Sequence, residues 1–299
     1  MNKCLINKIR HKASKLLNFD LYVKEIVYTK SLEELSLRSM EPLVEHSSNN
    51  ILVSLTTYSK RIYDVHLVVE SLGRQTVKPN RIILWLDQDE FDADSIPIIL
   101  KLQKKRGLEV RFCNNIKSYK KLIPSLNEFP GYDIITVDDD IIYPIDLVEK
   151  FVLESKLNPN TIIANLVHKI TMDNSGRIKS YTDWNHYTTS DEASMLILPV
   201  GAGGVYYPND CFHKDIVNQN LFMNLSPSAD DLWFKVMTVK NGFKSKRVSD
   251  LRPFSDRFIN ISHSQEMGLH HQNVTDGLND MQFNSILKYY DFPYSYFNC

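Results

Sequence analysis

Long apolar runs, paired cysteines and a sizeable net charge are all missing from this 299-residue chain, and each absence removes a class of function. No apolar stretch approaches the ~18 to 20 residues that a bilayer span needs, and the amino terminus has no apolar leader core. The expectation is a protein that stays on the side where it was made, in the cytoplasm. Cys4, Cys113, Cys211 and Cys299 are scattered without metal-binding spacing, which points to reduced thiols. With 35 basic and 36 acidic residues the net charge is -1, so bulk attraction to nucleic acid is not implied. The phosphate-cradling templates G-x-x-x-x-G-K-S/T and G-x-G-x-x-G are absent as well.

What is present suits a folded protein: 43% of residues are hydrophobic and 24% charged, enough for one large domain with a small appendage. The most informative stretch runs from Tyr132 to Asp140, an apolar, β-branched segment after a Pro130-Gly131 break that ends in Asp138, Asp139 and Asp140. It is too short for a typical helix and reads as a central strand. In open α/β sheets, ligands sit outside the carboxyl ends of the strands, where a hard divalent cation and a phosphorylated ligand would meet these acids. Strand alternation predicts that Asp138 and Asp140 converge while Asp139 points away. The competing reading, a solvated acidic turn, is weakened because Ile141 and Ile142 resume the apolar pattern and hold the acids at a core edge.

The rest of the chain is organised as alternating units. Lys3, Lys8, Arg10, Lys12 and Lys15 precede the first acid, Asp20, with Leu5, Ile6, Ile9, Ala13, Leu16 and Leu17 at helical spacing. This basic amphipathic helix either packs on the domain or lies on an anionic membrane face. A second helical stretch follows over residues 21–45, with Ser31 to Glu34 resembling a helix start. Strands are expected at Ile51 to Leu55, Arg81 to Leu86 and Leu108 to Phe112, with helices to Leu72, from Asp94 to Lys105 and near Tyr119 to Leu126. Repeated β-α units predict a mostly parallel sheet whose strand ends bring Thr56 to Tyr58, Asp87 and Asp138 to Asp140 to one crevice. Later come a helix to Leu153, a strand from Thr161 to Leu166, a polar surface excursion over 173–184, and the glycine run Gly201, Gly203, Gly204. Ser228 then caps a helix carrying Asp230 and Asp231 in its first turn, for which helix-dipole stabilisation is the plain explanation. A last helix is expected from Asp276 to Tyr289, after His263, His270 and His271. One of these histidines approaches the acidic strand, or all are polar surface residues.

Taken in order, these features resemble the GT-A glycosyltransferases, in particular bacterial family 2-type enzymes of surface polysaccharide synthesis, over about residues 50–290. Its carriers are Val53 to Tyr58, Asp138 to Asp140 as an Asp-x-Asp motif, Gly201 to Gly204 and Ala229 to Trp233, with roughly ninety residues between the two acid groups. The resemblance implies a GT-A, Rossmann-like α/β fold with an N-terminal helical appendage over 1–45 and the catalytic domain over 46–299. It implies transfer of a sugar, from a UDP-sugar by preference, to a glycan or lipid-linked glycan, with inversion. Thr56, Thr57, Tyr58, Arg61 and Asp87 would meet base and ribose, and Lys120 and Lys121 the diphosphate. Asp138 and Asp139 would face the donor, beside Gly203 and Gly204. Asp140 and Asp138, with His270, would hold Mn2+ or Mg2+. Asp231, or Asp230 if the register differs, would be the general base, and Trp233 would stack on the acceptor. Two other classes stay open: a sugar-nucleotide nucleotidyltransferase, whose early Gly-rich basic loop is not found after Leu55, and a non-catalytic glycan- or protein-binding domain.

Overall fold

Apolar runs such as Ile51 to Val53 and Ile82 to Leu86 are what a strand covered on both faces requires, and the computed structural model shows them so. It describes residues 19–261, 277–293 and 296–297. The basic segment before Phe19, with Cys4, the candidate ligands His263, His270 and His271, and Cys299 lie outside the described residues.

Among the described residues the main sheet is built from β1 (Ile51–Thr56), β2 (Arg81–Asp87), β3 (Leu108–Cys113), β4 (Asp133–Thr136), β6 (Thr161–Ala164), β9 (Val205–Tyr207) and β10 (Lys244–Arg247). Their order is β10-β6-β9-β4-β1-β2-β3. All neighbouring pairs are parallel except those of β9, which runs antiparallel to β4 and β6. The mostly parallel α/β sheet expected from the sequence is therefore present. Two-residue alternation splits its side chains between two cores. Leu52, Ile83, Trp85, Ile134 and Ile162 share one with Leu232, Phe222 and Ile286. Val53, Leu55, Leu84, Ile135 and Ile163 share the other with Val68, Leu100 and Phe151. The helices Val65–Gly73, Ile98–Lys104 and Leu147–Leu157 thus cover one face, and Gln219–Leu225, Asp230–Lys240 and Leu278–Tyr289 the other.

The chain leaves β1 for β2 and β3, then returns to β4 on the opposite side of β1. This reversal makes the carboxyl ends of β1 and β4 the switch point at which an open α/β sheet has its crevice. The Val137 N–H donates to the Ser54 carbonyl at 3.1 Å and keeps the two exits side by side.

Several local expectations differ. The helix expected from Asp94 begins only at Ile98, because Asp92 Oδ1 accepts from the Asp94 and Ser95 N–H groups and Pro97 follows. The segment Tyr119 to Leu126 is two pieces, a 3-10 turn Lys117–Lys121 and a helix Ile123–Glu128 with Pro124 in its first turn. Ser31 does not start a helix but lies inside Phe19–Arg38. Ser228 does not cap the helix Asp230–Lys240: the cap position is Ala229, and the Ser228 N–H donates to Gln282 Oε1.

The second half of Phe19–Arg38 is fixed by a buried charged cluster. Arg106 donates from Nη1 and Nη2 to the two oxygens of Glu70 at 2.8 and 2.9 Å, and Ser36 Oγ and Gln103 Nε2 donate to the same carboxylate at 3.3 and 3.0 Å. Removing one partner of such a pair strands the other charge. Arg106→Ala is expected to cost about 3–5 kcal/mol of unfolding free energy, measured by urea denaturation. Glu70→Gln with Arg106→Met should recover much of that loss; equal losses in both variants would assign the effect to packing.

Candidate functional site

Beyond β4 the chain turns at Asp139 and Asp140, so the three acids do not continue a strand. The turn is held from outside. The short strands β5 (Ile141–Ile142) and β11 (Ile259–Asn260) pair antiparallel, and the Ile261 N–H donates to the Asp140 carbonyl at 2.9 Å. The Asp138 N–H donates to the Tyr143 hydroxyl at 2.8 Å, and that hydroxyl donates to the Ala202 carbonyl at 3.3 Å. Burial keeps the Tyr143 phenol protonated, so one ring ties the acid turn to the glycine run.

The three carboxylates have different surroundings. Asp139 does point away from its neighbours, but into the protein: Thr57 Oγ1 donates to its Oδ2 at 2.6 Å and Arg61 Nη1 to its Oδ1 at 2.6 Å. Asp139 and Thr57 are both buried, so neither is placed to touch a donor, contrary to the sequence expectation. They position the turn, as does Arg61, whose Nη2 also lies 3.2 Å from Asp140 Oδ2. Asp140 has its carboxyl pushed up to about 6 by burial and by the charge of Asp138, against the pull of Arg61. Asp138 is the most open of the three, with 31% of its side chain exposed against 6% and 16% for Asp139 and Asp140.

The second acid group meets the first through a lysine. Lys121, at the end of the turn Lys117–Lys121, places Nζ 3.1 Å from Asp138 Oδ1 and 3.1 Å from Asp230 Oδ2, with 8% of its side chain exposed. The contact to Asp138 is a hydrogen bond, whereas that to Asp230 is an ion pair without hydrogen-bond alignment. These acids hold the buried ammonium charged. Asp231 Oδ2 accepts from the Gly201 N–H at 3.1 Å. A methyl group on Gly201 would stand 2.8 Å from Lys121 Nζ, 3.4 Å from Asp231 Oδ1 and 3.6 Å from Asp138 Oδ1, so both acid groups border one glycine-sized space. Burial and the neighbouring Asp230 push the Asp231 carboxyl up, partly opposed by Lys121.

Other residues expected at the ligand are engaged within the protein. Trp233 is fully buried, packs near Phe222 and Tyr290, and donates its indole N–H to the Ile216 carbonyl at 3.2 Å, so it is a core residue and not an acceptor platform. Lys120 and Asp87 are buried against each other at 3.9 Å, so the charge of each is engaged within the protein. Gly203 is a packing glycine: a Cβ there would lie 3.0 Å from Asn165 Cβ and the Leu166 nitrogen. Gly204 has φ +78 and turns the chain into β9. Thr56 Oγ1 donates to the Trp85 carbonyl at 2.9 Å, and Tyr58 lies half-buried with the Arg61 guanidinium 5.1 Å from its ring. Tyr143 carries no motif by which the sequence could single it out, and Gly201 enters the sequence reading only as part of the glycine run, with nothing to rank it above Gly203 and Gly204.

Among the described residues no group of three or more His, Cys, Asp or Glu side chains is arranged to hold a metal ion. The donor set still fits a hard cation shared with a ligand. Mg2+-type ions are commonly held by one or two carboxylates with the remaining positions on phosphate and water. Asp138 and Asp140 offer hard oxygens and repel one another, which a divalent cation would relieve. Two cavities of about 160 and 190 Å³ lie elsewhere, one beside Lys24 and Tyr28 and one beside Phe129 and Val217.

No family model and no curated protein matches this chain. Among solved structures it is similar to residues 1–349 of S. aureus TarS in complex with UDP, at 15% identity and a TM-score of 0.43, covering 67% of this chain and 58% of that one. It is also similar to the mannosyltransferase PcManGT from Pyrobaculum calidifontis in complex with GDP-Man and Mn2+, at 11% identity and a TM-score of 0.43, covering 79% of this chain and 65% of that one. This chain therefore spans less than two thirds of the length of either.

Replacing the bridging lysine tests the geometry. Lys121 lowers the Asp231 carboxyl, so in Lys121→Met that group rises further above its unfolded value. A carboxyl raised on folding favours the folded state only while protonated. The variant is expected to lose roughly 3 kcal/mol of stability at pH ~8 and less at pH ~5, read from denaturant midpoints at each pH. A loss that does not change with pH would contradict the placement of Lys121 among the acids.

Proposed function

We propose that this chain is a metal-assisted glycosyltransferase of GT-A architecture that moves a sugar from a nucleoside-diphosphate donor to a hydroxyl of a glycan or lipid-linked glycan, with inversion. One observation carries this reading: Asp138 and the Asp230–Asp231 pair, some ninety residues apart, meet around Lys121 and Gly201 at the switch point of the sheet. A sugar diphosphate laid across Gly201 would have the turn acids on one side and Asp231 on the other.

In this arrangement Asp138 and Asp140 would hold Mn2+ or Mg2+, which when bound neutralises charge on the departing diphosphate. Lys121 adds a fixed positive charge to the same region. Asp231, its carboxyl raised toward neutrality and its Oδ2 fixed by the Gly201 N–H, takes the proton from the acceptor hydroxyl. The acceptor oxygen forms its bond to the anomeric carbon as the bond from that carbon to the phosphate oxygen breaks, and the electron pair leaves with the nucleoside diphosphate. Attack opposite the leaving group inverts the centre. UDP is the preferred base-bearing partner, and bacterial surface polysaccharide synthesis the preferred setting, on the resemblance alone.

Asp140→Ala is expected to keep the fold and lose Mn2+-dependent binding of UDP in calorimetry; unchanged affinity would remove the cation from this turn. Asp231→Asn should keep donor binding while transfer falls about 10²–10⁴-fold, the usual scale of a lost general base. If Asp230→Asn is the inactive variant instead, the base is the preceding residue. Release of pyrophosphate from a nucleoside triphosphate and a sugar phosphate would favour a nucleotidyltransferase.

For localisation we propose peripheral attachment to an anionic membrane. No helix among the described residues is long and apolar enough to cross a membrane. Phe19, Tyr22, Val23, Ile26 and Val27 are exposed at helical spacing directly after the basic segment. The full chain should co-sediment with phosphatidylglycerol-containing vesicles at low salt and be released at high salt, whereas a chain lacking residues 1–19 should do neither. Equal sedimentation of both would place this segment on the protein itself.

A further inference from the structure

Residues 173–184, expected to be a polar surface excursion, belong to a stretch after β7 (Val167–Lys169) that is fastened at many points. Lys169 bridges to Asn185 and Met172 to Ile178. The Tyr181 N–H donates to Asp280 Oδ1 at 2.7 Å, and buried Trp184 donates its indole N–H to the Lys179 carbonyl at 2.9 Å while its ring packs edge-on to Phe283. This framework presents four rings. His168, 4% exposed, has its ring centroid 4.4 Å from His186, 4.9 Å from Tyr187 and 6.1 Å from Tyr181.

Tyr187 stands out within this group. Its backbone is left-handed, with φ +54, a conformation that costs a non-glycine residue free energy. Its side chain is 58% exposed, so core burial does not compensate that cost. The conformation is nevertheless enforced, because the Tyr187 N–H donates to Nδ1 of buried His168 at 3.1 Å. His186 is oriented as well: its Nε2 lies 2.9 Å from the Tyr181 carbonyl and donates to it, which leaves Nδ1 as the acceptor. Strained residues of this kind cluster at ligand sites, and among the described left-handed residues Tyr187 is the one that brings an exposed ring beside oriented polar groups.

The location selects the ligand. His168 lies opposite Leu198 in the antiparallel pair of β7 with β8 (Ile197–Pro199). That strand runs through Val200, whose N–H donates to the Leu166 carbonyl, directly into Gly201 and its bond to Asp231. The negative charge of Asp231 also reaches the Tyr181 phenol and contributes to raising it. The rings therefore stand beside the strand that leads into Gly201 and Asp231.

The geometry points to an acceptor subsite in which Tyr187 stacks on the apolar C–H face of a pyranose ring, with Tyr181 and His186 bonding its hydroxyls and turning one of them toward Asp231. This inference rests on the glycosyl-transfer reading. Stacking uses the ring face and the apolar patch of a pyranose, and the neighbouring phenol and imidazole supply the directional bonds.

The test uses the full chain with UDP and Mg2+ and, as probes, the methyl pyranosides of glucose, galactose, mannose and N-acetylglucosamine, in saturation-transfer difference NMR. The wild type is expected to transfer saturation to the ring C–H protons of at least one glycoside. Tyr187→Phe should retain the signal and Tyr187→Gly should lose it. Because glycine accepts φ +54 without strain, Tyr187→Gly should melt at the wild-type temperature or above it. Signal retained in Tyr187→Gly, no signal from the wild type with any of the four, or a clearly lower melting temperature for the glycine variant would each overturn the proposal. Failure of the transfer reading itself is separable, since it would appear as loss of metal-dependent UDP binding by the wild type, which does not involve Tyr187.

Discussion

The candidate site depends on one buried ammonium. Lys121 stands between Asp138 on the turn after β4 and Asp230 at the start of a helix ninety residues on, almost out of solvent. Buried carboxylates at this spacing repel one another, and each would take up a proton without a cation between them. Burial raises the carboxyls of Asp140 and Asp231, and the neighbouring acids Asp138 and Asp230 raise them further, against the pull of Arg61 on the first and of Lys121 on the second. The site is thus negative and incompletely neutralised. That suits a divalent cation on the turn side and a proton acceptor on the helix side, provided a ligand's phosphates occupy the space over Gly201. The outer supports serve the same end: Arg61 and Thr57 hold Asp139 inward, and Tyr143 joins the turn to the glycine run.

Much of the fold was legible in the sequence. β1 and β2 carry buried runs bounded by breaks, β3 alternates apolar with charged residues, and the expected limits of all three fall within a residue of the observed ones. The elements that were missed lack such a signal. β9 is three residues long and follows the glycine run immediately, and β10 reads Lys-Ser-Lys-Arg, a sequence with no apolar alternation. β10 is placed by its parallel ladder with β6 and by the bridge of Ser245 to Ser194, and Lys246 lies buried with Nζ 2.5 Å from Glu154 Oε2. No local pattern announces a strand whose backbone partners all lie fifty or more residues away.

For the site, residue type and strand position identified the acids, but not which neighbours would be consumed by structure. Asp139, Thr57, Arg61, Asp87 and Lys120 are polar residues beside the crevice, as expected, yet they bond to one another and are buried. Adjacent residues differ sharply: Lys120 faces Asp87, and Lys121 the two acid groups. Such distinctions depend on the turn Lys117–Lys121, which a helix-period reading of that segment does not predict. Trp233 shows the same limit from the apolar side, since an aromatic in the first turn of a site helix faces either the ligand or the core, and only packing decides.

On the proposed reading the turn acids and the helix-start acids face one ligand across Gly201. Anomalous diffraction from crystals of the full chain grown with Mn2+ and UDP is the most direct test of that arrangement. A manganese peak is expected at the Asp138 and Asp140 carboxylates, with the diphosphate between that ion and Gly201 and its terminal phosphate toward Asp231. A manganese ion bound without either turn carboxylate, or a diphosphate placed away from Gly201, would contradict it.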